Sequence, residues 1–131
     1  MTSLTLVRGL PGSGKSTVAK RVGGFHIEAD MYFVNADGVY LWDANRLHLA
    51  HGWCRDKAIE LLTDGKDVVV SNTFTTLKEL RPYFNMAADF GIVPTVILAQ
   101  NAFTNVHNVP AESLDKMRAR FAYDISELFN D

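Results

Sequence analysis

Apolar and β-branched residues fill Leu4–Arg8, and a second apolar run, DVVVS, occupies residues 67–71. Both read as short strands, the second apolar enough to be buried on both faces. Residues 25–28 and 93–99 give two further strands, with Pro94 confined to a strand start or an unpaired edge. Helical patterns lie between them. Residues 15–22 form one helix, closed by Gly23-Gly24. Asp43 suits the N-cap of a helix over 44–63, with Gly65 just past its end. Its apolar stripe is Leu47, Ala50, Cys54, Ala58 and Leu61; His51 falls inside that stripe and Trp53 well off it. A third helix covers 77–90 and stops at Gly91. A polar stretch at 100–109 precedes a last helix opened by Pro110, with Leu114, Met117, Phe121, Ile125 and Leu128 on one face. Asp37-Gly38, between aromatic and β-branched residues, predicts a tight turn or small hairpin. Strands alternating with helices predict an α/β fold, a mainly parallel sheet with helices on both faces.

Composition narrows the function. The 131 residues suit one domain, 1–131, and the net charge of −2 offers no basic excess for gripping long nucleic acid. A short strand end in a local groove is compatible with it. Cys54 is the single cysteine, which excludes an internal disulfide and a cysteine zinc cluster and suits a reducing cytoplasm. No apolar run is long enough to span a membrane, and the N-terminus lacks the layout of a secretion signal. The length leaves no room for the helical lid domain of a ring-forming ATPase motor.

Residues 9–17, GLPGSGKST, carry the chemistry. They fit G-x-x-x-x-G-K-[ST] after an apolar strand and before a helix, the context that makes this pattern a phosphate-binding loop. Gly12 and Gly14 let backbone N–H groups turn inward, with Ser13 between them. The helix N-terminus adds partial positive charge. Lys15 is placed to reach the β and γ phosphates of ATP, Ser16 offers a hydroxyl to Mg²⁺, and Thr17 serves the α-phosphate region.

The destination of the phosphate is less direct. In hydrolases of this class an aspartate at a strand end helps hold Mg²⁺. The matching strand here ends in Ser71 and Asn72. Asp30, in HIEADMYF, is the acid that follows a strand at the ligand-binding edge of an open sheet. It can act as base toward an acceptor hydroxyl, or cap a turn. Glu28 belongs to the strand and is expected to face away from Asp30's side. Tyr32, Phe33, Tyr40 and Trp42 cluster near Asp30 in sequence, as core or as stacking surfaces for a base.

RGLPGSGKST, ADMYF, GVYLWDANRLHLAHGWC, VVVSNTF and NVHNVPAESLDKMRARF, in that order, resemble the polynucleotide-kinase-like family of P-loop kinases over nearly the whole chain. The resemblance implies a P-loop NTPase fold, a parallel sheet of four or five strands with the loop strand in the middle, and a lid around 100–110. It implies that Asp30 is the general base, that Asn72 and Thr73 lie toward the substrate, and that His107 belongs to the lid. Arg118, on the last helix, is a candidate to reach back over the nucleotide; Arg120 is expected at the surface. The chain departs from the family pattern at Met31 and Asn72, where acidic residues are usual, at Phe74, and in a lid segment without arginine. The reading is an ATP- and Mg²⁺-dependent kinase acting on the 5′-hydroxyl or another hydroxyl of a nucleic acid or nucleotide. A small-molecule kinase and a catalytically weak ATP-binding module are the alternatives.

Overall fold

The computed structural model describes residues 2–100 and 110–129. The proposed lid, with His107, lies outside them. Four strands form one parallel sheet: β1 (Leu4–Arg8), β2 (Phe25–Ile27), β3 (Val68–Asn72) and β4 (Thr95–Leu98), in the order β2-β3-β1-β4. The strand that feeds the glycine-rich loop is therefore interior. β1 pairs with β3 from Leu4↔Val68 to Arg8↔Asn72, and with β4 from Thr5↔Thr95 to Arg8↔Leu98. Pro94 falls immediately before β4, where its missing N–H costs no ladder bond.

The two faces follow from the period-two alternation of strands. Leu4, Leu6, Val68, Val70 and Ile27 enter the larger core. There they meet α2 (Leu47–Thr63) and α3 (Leu77–Asp89). Val7, Val69 and Ala99 form the smaller core with Ala19 of α1 (Lys15–Val22). Ala50, Cys54 and Ala58 of α2 are fully buried, and their small side chains let the helix approach the sheet closely. Leu61 and Leu62 close its far end; burying such a side chain stabilises by about 1.5–3 kcal/mol. Leu47, expected on the same stripe, is instead exposed at the helix start. α3 begins at a capping box in which Thr76 and Glu79 satisfy each other's backbone N–H.

The helix expected from residue 44 is divided. Asp43 caps the chain by accepting from the Asn45 N–H at 2.9 Å, a 3-10 turn spans Ala44–Arg46, and α2 begins at Leu47. The Asp37-Gly38 turn is present, Gly38 having φ +78°, but it closes a single antiparallel bridge, Val34↔Tyr40. The last helix is shorter than its apolar spacing suggests. α4 spans Ala111–Arg120, and Phe121 turns into extended backbone. There the Ala122 N–H bonds to the Thr75 carbonyl at 2.7 Å, and the Phe121 ring packs over the Arg8 guanidinium at 4.3 Å. Ile125 and Leu128 still reach the core, through a short 3-10 turn, Ser126–Phe129. Among the described residues, no helix is long and apolar enough to cross a membrane.

Candidate functional site

The loop between β1 and α1 is held at both sides. The Gly9 N–H bonds to the Thr73 carbonyl at 3.3 Å, and the Ala99 N–H bonds to the Arg8 carbonyl at 2.8 Å. The loop thus starts wedged between the ends of β3 and β4. A Cβ at Gly9 would overlap Ser13 Oγ and stand 2.8 Å from the Ala99 carbonyl oxygen, so the close approach requires glycine. Gly12 and Gly14 have φ of +82° and +85°. That left-handed backbone turns successive N–H groups to one side. α1 starts at Gly14 without a side-chain cap, leaving its first N–H groups directed at the loop.

These features fit a phosphate chain. Ser13 Oγ is buried without a hydrogen-bond partner among the described residues. A buried orphan hydroxyl is costly unless a ligand engages it. Lys15 heads the cradle. Burial pushes its ammonium pKa below the ordinary lysine value, while the charges of Glu28 and Asp30 act in the opposite sense. The hard oxygen of Ser16, with waters and phosphate oxygens, is the donor set that Mg²⁺ accepts. Thr17 is exposed on the first turn of α1.

Glu28 does not turn away. Its backbone is extended, with φ −149° and ψ 153°, and continues β2. The alternation carries His26 and Glu28 to the α1 face, beside Val69 and Ser71 of β3. Glu28 Oε2 accepts from Ser16 Oγ at 3.0 Å and from Ser71 Oγ at 2.9 Å. His26 Nε2 lies 2.6 Å from Ser71 Oγ and 3.6 Å from Glu28 Oε2. With the Ser71 proton committed to Glu28, His26 donates to Ser71. Burial raises the Glu28 pKa, but the donors His26, Ser71 and Ser16 together outweigh it and hold the carboxyl down at about 2. The carboxylate is therefore ionised at neutral pH. Its serine partners lie 12 and 43 positions away in sequence, so no local pattern marked this role.

Asp30 sits in the first turn of a 3-10 helix, Ala29–Phe33, that packs against α2. Asn72 secures the entry to that turn. Its Oδ1 accepts the Ala29 N–H at 2.9 Å, while its Nδ2 lies 3.6 Å from Cys54 Sγ of α2. The buried Asn72 thus ties β3, α2 and the aspartate-bearing turn together. Thr73 is half-buried, and its carbonyl holds Gly9. Tyr40 donates to Asp30 Oδ1 at 3.3 Å.

The segment after Asp30 lines an open groove of about 490 Å³, whose walls include Tyr32, Phe33, Trp42, Asp43 and Arg46. Trp42 is 55% exposed and lines the groove. Phe33 underpins it, at 6.5 Å from the Trp42 ring and 6.3 Å from the Tyr40 ring. Tyr32 and Trp53 pack at 6.4 Å. Arg118 lies on α4 with its side chain 60% exposed and pairs with Asp115 at 3.2 Å along the same helix. Arg120 is exposed, as expected, and also donates from Nε to Thr75 Oγ1 at 3.1 Å.

Known proteins share this plan. The model of a family described as AAA domain matches residues 4–123. A protein of Pasteurella multocida is 28% identical over 135 aligned positions, covering 89% of this chain and 75% of that protein. Human NEDD4-binding protein 2 is 35% identical over 86 positions, covering 61% of this chain and 5% of its own length. Among solved structures, a chain of the Pnkp1/Rnl/Hen1 complex superposes with a TM-score of 0.61 at 20% identity, over 88% of this chain. This chain spans only 38% of that one. The APS kinase CysC of Mycobacterium tuberculosis gives a TM-score of 0.57 at 17% identity, covering 99% of this chain and 98% of the kinase. What this chain shares with these structures is the fold.

Proposed function

We propose that this chain, which belongs to the AAA domain family, is an ATP-dependent phosphotransferase acting on a hydroxyl of a nucleic acid end or a nucleotide, in the cytoplasm. One observation carries the reading. Gly12 and Gly14 turn the loop backbone left-handed, and the buried Ser13 hydroxyl has no partner among the described residues, so the segment that carries Lys15 is shaped as a phosphate cradle. In this reading Lys15 is the cation for the transferred group, and Asp30, on the turn after β2, is the base for the acceptor.

The reaction needs little covalent chemistry from the protein. The acceptor O–H breaks, its proton passes to the Asp30 carboxylate, its oxygen bonds the γ-phosphorus, and ADP departs. Lys15, the loop N–H groups and the α1 N-terminus hold the phosphates. Mg²⁺ on Ser16, when bound, supplies neutralising charge to the triphosphate. Asn72 aims the turn that carries Asp30. In this reading the lid with His107 closes over the nucleotide.

The acceptor class is supported by the groove lined by the residues that follow Asp30 in the chain. Tyr32 and Trp42 offer aromatic faces, on which a base can stack for about 1–3 kcal/mol. Arg46 supplies a cation for an adjacent phosphate, and Asp43 an acceptor for base or sugar donors.

The test is transfer from γ-labelled ATP, with Mg²⁺, to 5′-hydroxyl DNA and RNA oligonucleotides, nucleosides and a metabolite pool. Label on oligonucleotides or nucleotides is the expected result. Label confined to small polyols supports a metabolite kinase, and tight ATP binding with no transfer supports a binding module; either outcome overturns the acceptor reading.

A further inference from the structure

We propose that Glu28 is the carboxylate that supports Mg²⁺ at this loop, doing from β2 what an aspartate at the end of β3 does in P-loop hydrolases. The inference rests on the triphosphate site of the reading above and is independent of the acceptor.

β3 ends in Ser71 and Asn72, so its tip carries no negative charge. The register His26↔Val69 and Ile27↔Val70 sets Glu28 beside Ser71, one strand further out. From there its side chain crosses over Ser71 to the first turn of α1, where Oε2 meets Ser16 Oγ at 3.0 Å. Ser71, near the end of β3, donates to the same oxygen at 2.9 Å and steadies the reach. His26, 2.6 Å from Ser71 Oγ, braces that hydroxyl from behind.

The chemistry explains the need. A serine hydroxyl that gives a lone pair to a divalent cation must direct its proton elsewhere. A carboxylate is the strongest acceptor available and adds attraction for the cation. Ser16 already gives its proton to Glu28, so its lone pairs remain for a metal. A purely structural role, as partner of His26, would need no contact with the loop.

Binding, rather than turnover, separates the two roles. The affinity of a fluorescent, non-hydrolysable ATP analogue is measured with and without Mg²⁺, and Mn²⁺ uptake in the presence of ADP is followed by electron paramagnetic resonance. For Glu28→Gln the Mg²⁺-dependent gain in affinity should shrink about tenfold or more. Metal-free affinity should hold or tighten, because a negative charge near the phosphates is gone. Ser71→Ala should show a smaller loss in the same direction. The double variant Glu28→Gln with Ser71→Asp, which returns a carboxylate to β3, should recover most of the Mn²⁺ binding. Should Glu28→Gln fold poorly, Glu28→Asp keeps the charge but shortens the arm, and the same loss is expected. A Mg²⁺ gain equal to that of the wild type, or equal losses with and without metal, overturns the proposal. An absence of phosphate transfer to any acceptor leaves these binding results standing.

Discussion

The Tyr40 hydroxyl donates to Asp30 Oδ1 at 3.3 Å, so the carboxylate proposed as the base is held in place by a neighbouring phenol. Asp30→Asn should therefore reduce kcat by roughly two to four orders of magnitude, as expected for loss of a general base, with ATP affinity little changed. Steady-state kinetics and equilibrium nucleotide binding check it. Near-normal turnover would remove Asp30 from the chemistry.

Tyr40 also gives a pH signature. Desolvation of its hydroxyl, then the Asp30 charge and the hydrogen bond to it, push its ionisation up to about 12. An acid whose folded pKa exceeds its unfolded value, here 10.0, stabilises the fold fully below that pH. The contribution is lost as pH rises through the folded value. Tyr40→Phe should lose stability less steeply than the wild type between about pH 10 and 12. Denaturation midpoints against pH, with absorbance at 295 nm to follow phenolate, test this; parallel curves would contradict it.

Gly9→Ala tests the geometry of the cradle. The added methyl overlaps Ser13 Oγ and crowds the Ala99 carbonyl at 2.8 Å, backbone that cannot swing aside. Overpacking of this kind costs about 1–3 kcal/mol. The thermal midpoint should fall, and ATP affinity with it, because Ser13 belongs to the loop. An unchanged midpoint and affinity would mean that the loop tolerates a wider form.

Lys15→Ala removes the cation but not the fold. Charge-assisted contacts to phosphate contribute about 1.5–3 kcal/mol, so triphosphate affinity should fall by roughly ten- to a hundredfold, with transfer lost. Calorimetric titration with ATP and with AMP distinguishes this from a general loss. AMP, which lacks the β and γ phosphates, should be much less affected.

Local pattern was enough for the parts of the site that are local. β1 and α1 fall on the residues their patterns mark, because a buried strand, a glycine turn and a helix start are each written in consecutive residues. Asp30 was legible as a strand-end acid. Glu28 was not, because its role depends on register with β3 and on serines 12 and 43 positions away. The role of Asn72 in holding Ala29 was hidden for the same reason, as it spans 43 positions. The overlong last helix shows the converse. Phe121, Ile125 and Leu128 keep helical spacing after Met117, yet a backbone bond from Ala122 to Thr75 and the seat of Phe121 on Arg8 win over that periodicity. Tertiary contacts of this kind routinely override helix propensity.

Those same contacts make Arg8 the most informative stability probe. It is 2% exposed, and its Nε and Nη2 donate to the Phe74 carbonyl at 3.1 and 2.6 Å. Phe74 has φ +45°, a left-handed conformation that costs a non-glycine residue about 1–2 kcal/mol. That strained turn aims its carbonyl at the guanidinium, and Phe121 covers the opposite side. Burial lowers the Arg8 pKa, opposed chiefly by Glu79 nearby. Arg8→Met keeps the bulk, removes both donors and leaves a buried carbonyl unpaired, a loss of about 1–3 kcal/mol. The thermal midpoint should drop by several degrees. With its seat weakened, Phe121 should no longer hold the segment after α4 against the turn between β3 and α3. The Ala122 amide, bonded to Thr75 at 2.7 Å, should then exchange with solvent faster than the amides within β1. If Ala122 exchange accelerates only in step with those strand amides, Arg8 supports the whole fold and not this junction. If neither changes, the buried guanidinium is dispensable.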